Sequence, residues 1–237
     1  LFNVDERRGM QDRFWNRVMF PIMDVNSRVI GFGGRVMDDS TPKYLNSPDT
    51  PVYNKSRNVF ALNIAKKSRA GRVILTEGYM DTISLHQAGF DSAVASLGTS
   101  LTAEHAQLLA RYFKDAVIAY DGDGAGVSAA QRAIPLLERA GLNVKVLRVK
   151  GAKDPDEFIK KYGPEAFARL LDKSENHIDY RLEQLRGRYD LSDDSQRVEF
   201  LREATGVIAS LHSAVEREIY GGHAAQMAGI SAEAMAQ

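Results

Sequence analysis

Short apolar runs alternate with helical patterns through the middle of the chain. The apolar runs cover 73–75, 93–95, 116–120 and 144–149, and apolar residues at helical spacing lie between them at 80–88, 102–112 and 125–140. Strands that alternate with helices of this length indicate βαβ units. The pattern therefore predicts an α/β fold with a mostly parallel sheet and flanking helices.

The segments on either side of this sheet have different patterns. Apolar runs around Asn26-Ser27 predict a hairpin over 18–32, and glycines 31, 33 and 34 indicate a bulge or a close backbone approach. Residues 40–58, rich in Pro, Ser and Asn, predict a loop, and 59–68 predict a short helix. From Asp154 onward only helical patterns occur, at 154–162, 164–173, 176–189, 193–220 and 223–236. We expect an N-terminal α+β subdomain at 1–70, an α/β domain at 71–152 and a helical subdomain at 153–237.

Composition excludes several classes of protein. The 237 residues are 44% hydrophobic and include no cysteine, which excludes a disulfide scaffold, a thiol nucleophile and a cysteine-based zinc site. No apolar run has the length of a membrane span, and no signal peptide opens the chain. We therefore expect a soluble, intracellular protein. The first residue is Leu1 rather than Met, which indicates a fragment.

The net charge of zero conceals a gradient. Residues 1–69 hold 12 Lys/Arg and 7 Asp/Glu, a net charge of +5, whereas residues 176–237 hold 6 and 10, a net charge of −4. A polyanion that contacts only the front of the chain would explain this gradient. Chance clustering of charges on solvated faces explains it equally well.

Acidic residues follow two of the predicted strands. Glu77 comes after the run 73–76, and Asp121 and Asp123 come after 117–120. Ligands of open α/β sheets bind beyond the carboxyl ends of the strands, so these carboxylates are expected to converge there. A divalent cation would relieve their repulsion, and oxygen ligands without His or Cys favour Mg²⁺ or Mn²⁺ over zinc.

Other interpretations of the Asp-Gly-Asp-Gly segment can be compared with this one. An EF-hand is excluded because its twelfth position would be Arg132, where a bidentate Glu is needed. A dinucleotide-binding loop fits poorly because two carboxylates would meet the pyrophosphate. A haloacid-dehalogenase-type phosphatase with Asp121 as nucleophile stays open, although it gives Glu77 no role.

Several segments together carry a family resemblance. Glu77-Gly78-Tyr79-Met80-Asp81, followed by Tyr120-Asp121-Gly122-Asp123-x-Ala125-Gly126, resembles the Toprim signature of bacterial primases of the DnaG type. Further segments are similar to that family's catalytic core, in the same order: Phe32–Arg35, Pro42–Pro48, Ser96–Ser100 and Lys153–Phe158. The resemblance identifies 71–152 as a Toprim metal-binding domain between a partial basic subdomain and a helical one.

The resemblance implies a DNA-directed RNA polymerase, a primase, that makes short RNA primers on single-stranded DNA with two Mg²⁺ or Mn²⁺ ions. It implies that the catalytic metal ligands are Glu77, Asp121 and Asp123. Further acidic residues that support or share the ions are Asp81, Asp154 and Asp156. Template and nucleoside triphosphate would be bound by Arg13, Arg17, Arg35, Lys43, Tyr44, Asn46 and Lys55. The implied location is the replication fork in the bacterial cytoplasm.

The chain also departs from the family. Lacking cysteine, it has no zinc module, and we expect the domain that binds the replicative helicase to lie outside it. A truncated front half implies that part of the basic groove is missing. The resemblance therefore does not imply primer synthesis by this chain alone. A Toprim fold that binds nucleic acid or a partner without catalysis remains a third hypothesis. Phe14 and Trp15 are expected to pack in the core or at a hinge rather than to stack on bases.

Overall fold

The chain forms two compact units, residues 1–174 and 175–237. The computed structural model describes residues 2–5, 9–149, 151–211 and 213–231. Strands of the first unit are β1 (Phe2–Asp5), β2 (Gly9–Asp12), β3 (Arg17–Met23), β4 (Val29–Val36), β5 (Tyr44–Asn46), β6 (Arg72–Thr76), β7 (Ala93–Ala95), β8 (Asp115–Ile118) and β9 (Asn143–Val146). Its helices are α1 (Leu62–Ala65), α2 (Tyr79–Gln87), α3 (Ala103–Ala110), α4 (Gly124–Arg139), α5 (Pro155–Tyr162) and α6 (Pro164–Asp172).

A parallel sheet forms the centre of the first unit. Within this unit its strands lie in the order β9–β8–β6–β7, and Ile74 of β6 pairs with Ala93 on one side and Val117 on the other. Residues 73–76 of β6 are fully buried, as expected for a strand covered on both faces. The predicted α/β fold is confirmed. Since β6 and β8 are neighbours, their carboxyl ends open onto the same edge of the sheet.

Helices α2, α5 and α6 cover one side of the sheet. Phe167 is fully buried, and its ring lies 4.9 Å from Phe90 and 6.1 Å from Phe158, centroid to centroid. Because α5 and α6 belong to this core, the first compact unit extends to Ser174, beyond the expected boundary at residue 152. The three-part division itself stays a prediction. Pro135 lies inside α4, which continues to Arg139.

The predicted hairpin is confirmed as β3 and β4, which pair antiparallel with a register shift at Ile22/Met23. Strand β5 adds to the other edge of β4, with Gly33 opposite Asn46. The prediction of a loop throughout 40–58 was therefore wrong at Tyr44–Asn46. A three-residue strand shows no periodicity of its own, and pairing with β4 creates it.

Helices dominate the second unit, which comprises β10 (Glu175–Asn176), α7 (His177–Arg186), α8 (Asp194–Ala209) and α9 (Ala214–Ala228). The single helix predicted over 193–220 is wrong. Ser213 caps α9 by accepting a hydrogen bond from the Glu216 amide at 3.3 Å, so a new helix starts there. Gly229, with φ 69°, follows the last residue of α9. Part of the helix predicted at 223–236 lies outside the described residues.

Among the described residues, no helix combines the length and the apolar character needed to cross a membrane.

Candidate active site

Glu77 and the loop after β8 meet at one edge of the parallel sheet. Glu77 Oε1 accepts a hydrogen bond from the Asp121 amide at 3.1 Å. A Cβ on Gly126 would lie 2.2 Å from the Asp121 carbonyl oxygen and 2.7 Å from Glu77 Oε1. The absence of a side chain at residue 126 therefore permits this close approach.

A third acidic segment is joined to the same loop. The Gly122 amide donates to the Lys153 carbonyl at 3.2 Å, which brings the residues before α5 next to Asp121. Asp154 is the N-cap of α5, and its Oδ1 accepts from the Glu157 amide at 2.8 Å. Asp81 lies in the first turn of α2, the helix that packs on α5. Three separate segments thus supply carboxylates to one edge of the sheet.

These carboxylates raise one another's pKa values. Burial, followed by the charges of Asp154 and Asp121, raises the pKa of Asp81 to about 7. Burial and then the charge of Glu77 raise the pKa of Asp121 to about 6, and Asp154 and Asp123 add to the effect. Like charges in a partly buried site disfavour one another's ionised forms. We name the six residues 77, 81, 121, 123, 154 and 156 the acidic cluster.

Asp156 behaves differently from Asp81 and Asp121. Burial alone would raise its pKa, but hydrogen bonds from Lys160 and Ser84 outweigh that effect and lower it. The Lys160 ammonium lies 2.6 Å from Asp156 Oδ2. This carboxylate is therefore held in its ionised form.

The donor set of the acidic cluster suits a hard divalent cation. All the side-chain atoms that it offers to a metal are carboxylate oxygens, which Mg²⁺ and Mn²⁺ prefer as ligands. Within the described part of the chain, however, no three Asp, Glu or His side chains converge on one ion. Asp123 Oδ1 accepts from the Gly126 amide at 2.8 Å, as Glu77 and Asp154 accept from other amides. Each of these carboxylates has a second oxygen for an ion, but at least one side chain must move before three of them can share it.

Two of the predicted nucleic-acid-binding residues face the acidic cluster. The Arg35 guanidinium lies 5.6 Å from the Tyr44 ring centroid, and its charge contributes to lowering the pKa of Asp156. Burial raises the pKa of the Tyr44 hydroxyl, and the charges of Asp81 and Asp156 raise it further. Strands β4 and β5 therefore present a cation and an aromatic ring beside the carboxylates.

Arg17, predicted to bind template, contacts the protein backbone. Its guanidinium donates to the carbonyls of Gly34 at 3.3 Å, Pro42 at 2.8 Å and Lys43 at 3.4 Å. These bonds fix the segment that carries Lys43, whose side chain is exposed. Arg17 therefore positions this segment, while Lys43 is open to a ligand.

Arg13 and Lys55 are both half-buried. The Lys55 amide donates to Asp49 Oδ1 at 3.0 Å, and its carbonyl lies 2.8 Å from Nε2 of His105 in α3. The backbone of Lys55 is thereby fixed against the start of α3.

Asn46 and Tyr79 connect the hairpin to the α/β sheet. Asn46 Nδ2 donates to the Leu97 carbonyl at 3.0 Å, and the Tyr79 hydroxyl donates to Asn46 Oδ1. The Tyr79 ring lies 4.6 Å from Phe60 and 5.6 Å from Phe20. The sequence predicts a ligand-binding role for Asn46 and no role for Tyr79. The glycines of β4 are the sequence signal for Tyr79, because a Cβ on Gly33 would lie 2.8 Å from its ring.

Asn46→Ala is expected to lower the free energy of unfolding by about 1–2 kcal/mol, because the Tyr79 hydroxyl loses its acceptor. Urea titration measures the effect. Asn143→Ala, which removes an exposed hydrogen bond to Asp115, serves as the matched control and should cost less than about 0.5 kcal/mol. If Asn46→Ala is as stable as the control, the bridge contributes nothing to the fold.

Phe14 and Trp15 have opposite environments. Phe14 is 5% exposed and packs in the core as predicted, but Trp15 is 81% exposed, so its predicted packing role was wrong. Asp12 Oδ1 accepts from the Phe14 amide at 2.8 Å, which sets the turn that directs Phe14 inward. Trp15, the next residue on that turn, is left in solvent.

Three family models match the chain. Residues 1–66 match the N-terminal domain of the DNA primase catalytic core, residues 74–159 match a Toprim-like domain, and residues 178–233 match the DnaB-helicase binding domain of primase. The third match corrects the expectation that the helicase-binding segment lies outside this chain.

Relatives with known names cover nearly all of the chain. The chain is 45% identical over 218 residues to the DNA primase of Clostridium acetobutylicum, a match that covers 92% of this chain and 36% of that protein. A DnaG primase catalytic domain bound to ssDNA is 36% identical with a TM-score of 0.81, over 98% of this chain and 75% of that one. The RNA polymerase domain of Mycobacterium tuberculosis primase, in complex with double-stranded DNA, is 28% identical with a TM-score of 0.85, over 98% and 76%. The chain thus spans about a third of the length of its curated relatives.

Proposed function

The chain belongs to the DnaG family of bacterial DNA primases, and from that premise we propose that it carries the site that joins nucleotides into RNA primers on single-stranded DNA. The observation that carries this proposal is the acidic cluster at the carboxyl ends of β6 and β8, with Arg35 and Tyr44 beside it. A divalent metal ion suits a site of this composition.

The metal ligands in this proposal are Glu77, Asp121 and Asp123, supported by Asp81, Asp154 and Asp156. Two Mg²⁺ or Mn²⁺ ions would neutralise the charge that develops on the attacking and leaving oxygens of the phosphoryl transfer. The protein contributes position and electrostatics rather than a covalent intermediate. Glu77 and Asp121 come from adjacent parallel strands, which gives the carboxylates a rigid base.

The residues of β4 and β5, with Lys43 before β5, bind the nucleic acid and the nucleoside triphosphate in this proposal. Lys43 is exposed and neutralises phosphate, and Tyr44, 36% exposed, offers a ring on which a base can stack. Arg35 lies over the Tyr44 ring and its charge acts on Asp156, so it can hold a triphosphate beside the acidic cluster. The surface extends to Arg13, Arg17, Asn46 and Lys55 in this proposal, and Arg17 and Asn46 also stabilise it through their protein contacts.

The second unit supplies a partner surface in this proposal. Its residues 178–233 match a helicase-binding domain, so we infer that the replicative helicase binds here and that the protein acts at the replication fork.

No observation favours the phosphatase, since Glu77 has a structural contact with the Asp121 loop that the phosphatase reaction does not require.

Dinucleotide synthesis from nucleoside triphosphates on a single-stranded template, with Mg²⁺ or Mn²⁺, tests the proposal. We expect product only when both metal and template are present. A burst of phosphoenzyme from a simple phosphomonoester would support the phosphatase. Template binding without any synthesis would support a non-catalytic Toprim module.

Lys43→Ala is expected to weaken binding of single-stranded DNA and to reduce the slope of log K against log salt by about 0.7, the value for one phosphate contact. Fluorescence anisotropy at several salt concentrations measures both quantities. Lys114→Ala is the matched control, because Lys114 precedes β8 at the opposite edge of the sheet. Equal slopes for the two variants would assign Lys43 to the solvated surface.

A further inference from the structure

Trp15 stands on the turn between β2 and β3 with most of its side chain in solvent. It is 81% exposed and is the single tryptophan of the chain. A groove of about 590 Å³ adjoins it, lined also by Asp12, Phe14, Asn16, Arg17, Val18, Met19 and Met37. Burial of this ring against a ligand would remove a large apolar surface from water.

The groove is continuous with the proposed nucleic-acid surface. Arg17 lines the groove, and its guanidinium also donates to the carbonyls of Pro42 and Lys43. The turn of Trp15 is therefore fastened to the segment that carries Lys43 and Tyr44.

Cations near the groove offer contacts to an occupant with an anionic backbone. Arg13 lies two residues before Trp15, Arg17 lines the groove, and the exposed Lys43 belongs to the segment whose carbonyl accepts from Arg17. Two acids also lie beside the turn, and each accepts a hydrogen bond there: Asp12 Oδ1 from the Phe14 amide, and Asp38 Oδ2 from Asn16 Nδ2 at 2.9 Å. An apolar groove beside cations suits a single-stranded nucleic acid, whose bases are flat and apolar and whose backbone is anionic.

We propose that Trp15 stacks on a base of single-stranded nucleic acid bound along the Lys43–Tyr44 surface. This inference rests on the proposed function for the presence of a nucleic acid. It extends that function by adding a contact outside the acidic cluster that is aromatic rather than ionic. Because stacking is sequence-tolerant, the contact would hold the strand without reading bases.

Intrinsic fluorescence of the 237-residue chain tests the contact directly. Since Trp15 is the single tryptophan, every change in tryptophan emission comes from its ring. Titration with unlabelled oligothymidylate should quench the emission, with the same midpoint as the anisotropy of a labelled oligothymidylate.

Two variants separate stacking from a general apolar contact. Trp15→Leu keeps an apolar side chain without a π face and should weaken binding about tenfold, within the range for one stacked base. Trp15→Phe should keep most of the affinity. Because no phosphate contact is lost, both variants should keep the salt slope that Lys43→Ala reduces.

The outcomes distinguish this inference from the proposed function. If oligothymidylate does not bind at all, both are overturned. If it binds while tryptophan emission stays constant, or if Trp15→Leu binds as tightly as the unaltered chain, Trp15 does not stack and the groove serves another occupant, such as an apolar protein segment. The proposed function would then stand without this contact.

Discussion

Asp121→Asn is expected to reduce dinucleotide synthesis by about a thousandfold or more, a loss of several kcal/mol of transition-state stabilisation. The substitution preserves the shape of the side chain and the bond from the residue 121 amide to Glu77, but it removes the charge that a divalent ion requires. Glu77→Gln should have a comparable effect. The measurement is the rate of dinucleotide formation at saturating template and metal.

Stability separates this loss of function from a loss of fold. Burial and the charges of Glu77, Asp154 and Asp123 disfavour the ionised form of Asp121, so a neutral Asn should leave the metal-free chain at least as stable. Asp115→Asn is the matched control, since it removes an exposed carboxylate at the opposite end of the same strand. Retained synthesis in Asp121→Asn, or equal losses in both variants, would contradict the metal-ligand assignment.

Gly126→Ala should destabilise the chain by about 3 kcal/mol and also weaken metal binding. A Cβ at this position would lie 2.2 Å from the Asp121 carbonyl oxygen, a backbone atom that no side-chain rotation can move away. Relief requires a shift of the loop or of α4, and either movement separates Asp121 from Glu77. Urea unfolding and Mn²⁺ titration calorimetry measure the two effects.

Gly124→Ala provides the control in the same loop. A Cβ on Gly124 meets no atom within 4 Å, so this variant should keep its stability within about 0.5 kcal/mol and its metal binding unchanged. If both variants behave alike, the close contact of Gly126 with Asp121 and Glu77 has no energetic importance.

The parallel sheet could be predicted because its strands are buried on both faces. Residues 73–75 form a continuous apolar run, and the alternation with helices leaves few other topologies. Strand β5 could not be predicted, because its three residues become a strand only by pairing with β4. The break between α8 and α9 does not follow from the sequence pattern, because apolar spacing continues across it, although Ser213 caps the new helix.

The candidate site was predicted where position follows from topology. Glu77 and Asp121 follow adjacent parallel strands, and their contact at 3.1 Å confirms that they meet. Side-chain direction does not follow from topology. The ligand-binding roles of Arg17 and Asn46 stay predictions, and the structure adds that their polar atoms contact the protein itself. Trp15 was expected to pack but is exposed. A sequence pattern does not show which side of a turn faces solvent.

Anomalous diffraction from crystals of this chain soaked with Mn²⁺ tests the central claim most directly. We expect anomalous peaks among the carboxylates of Glu77, Asp121 and Asp123, with at least one of these side chains turned from its backbone partner toward the ion. Peaks absent from this edge of the sheet, with Glu77 and Asp123 still bound to the amides of Asp121 and Gly126, would contradict the assignment of a metal-dependent active site.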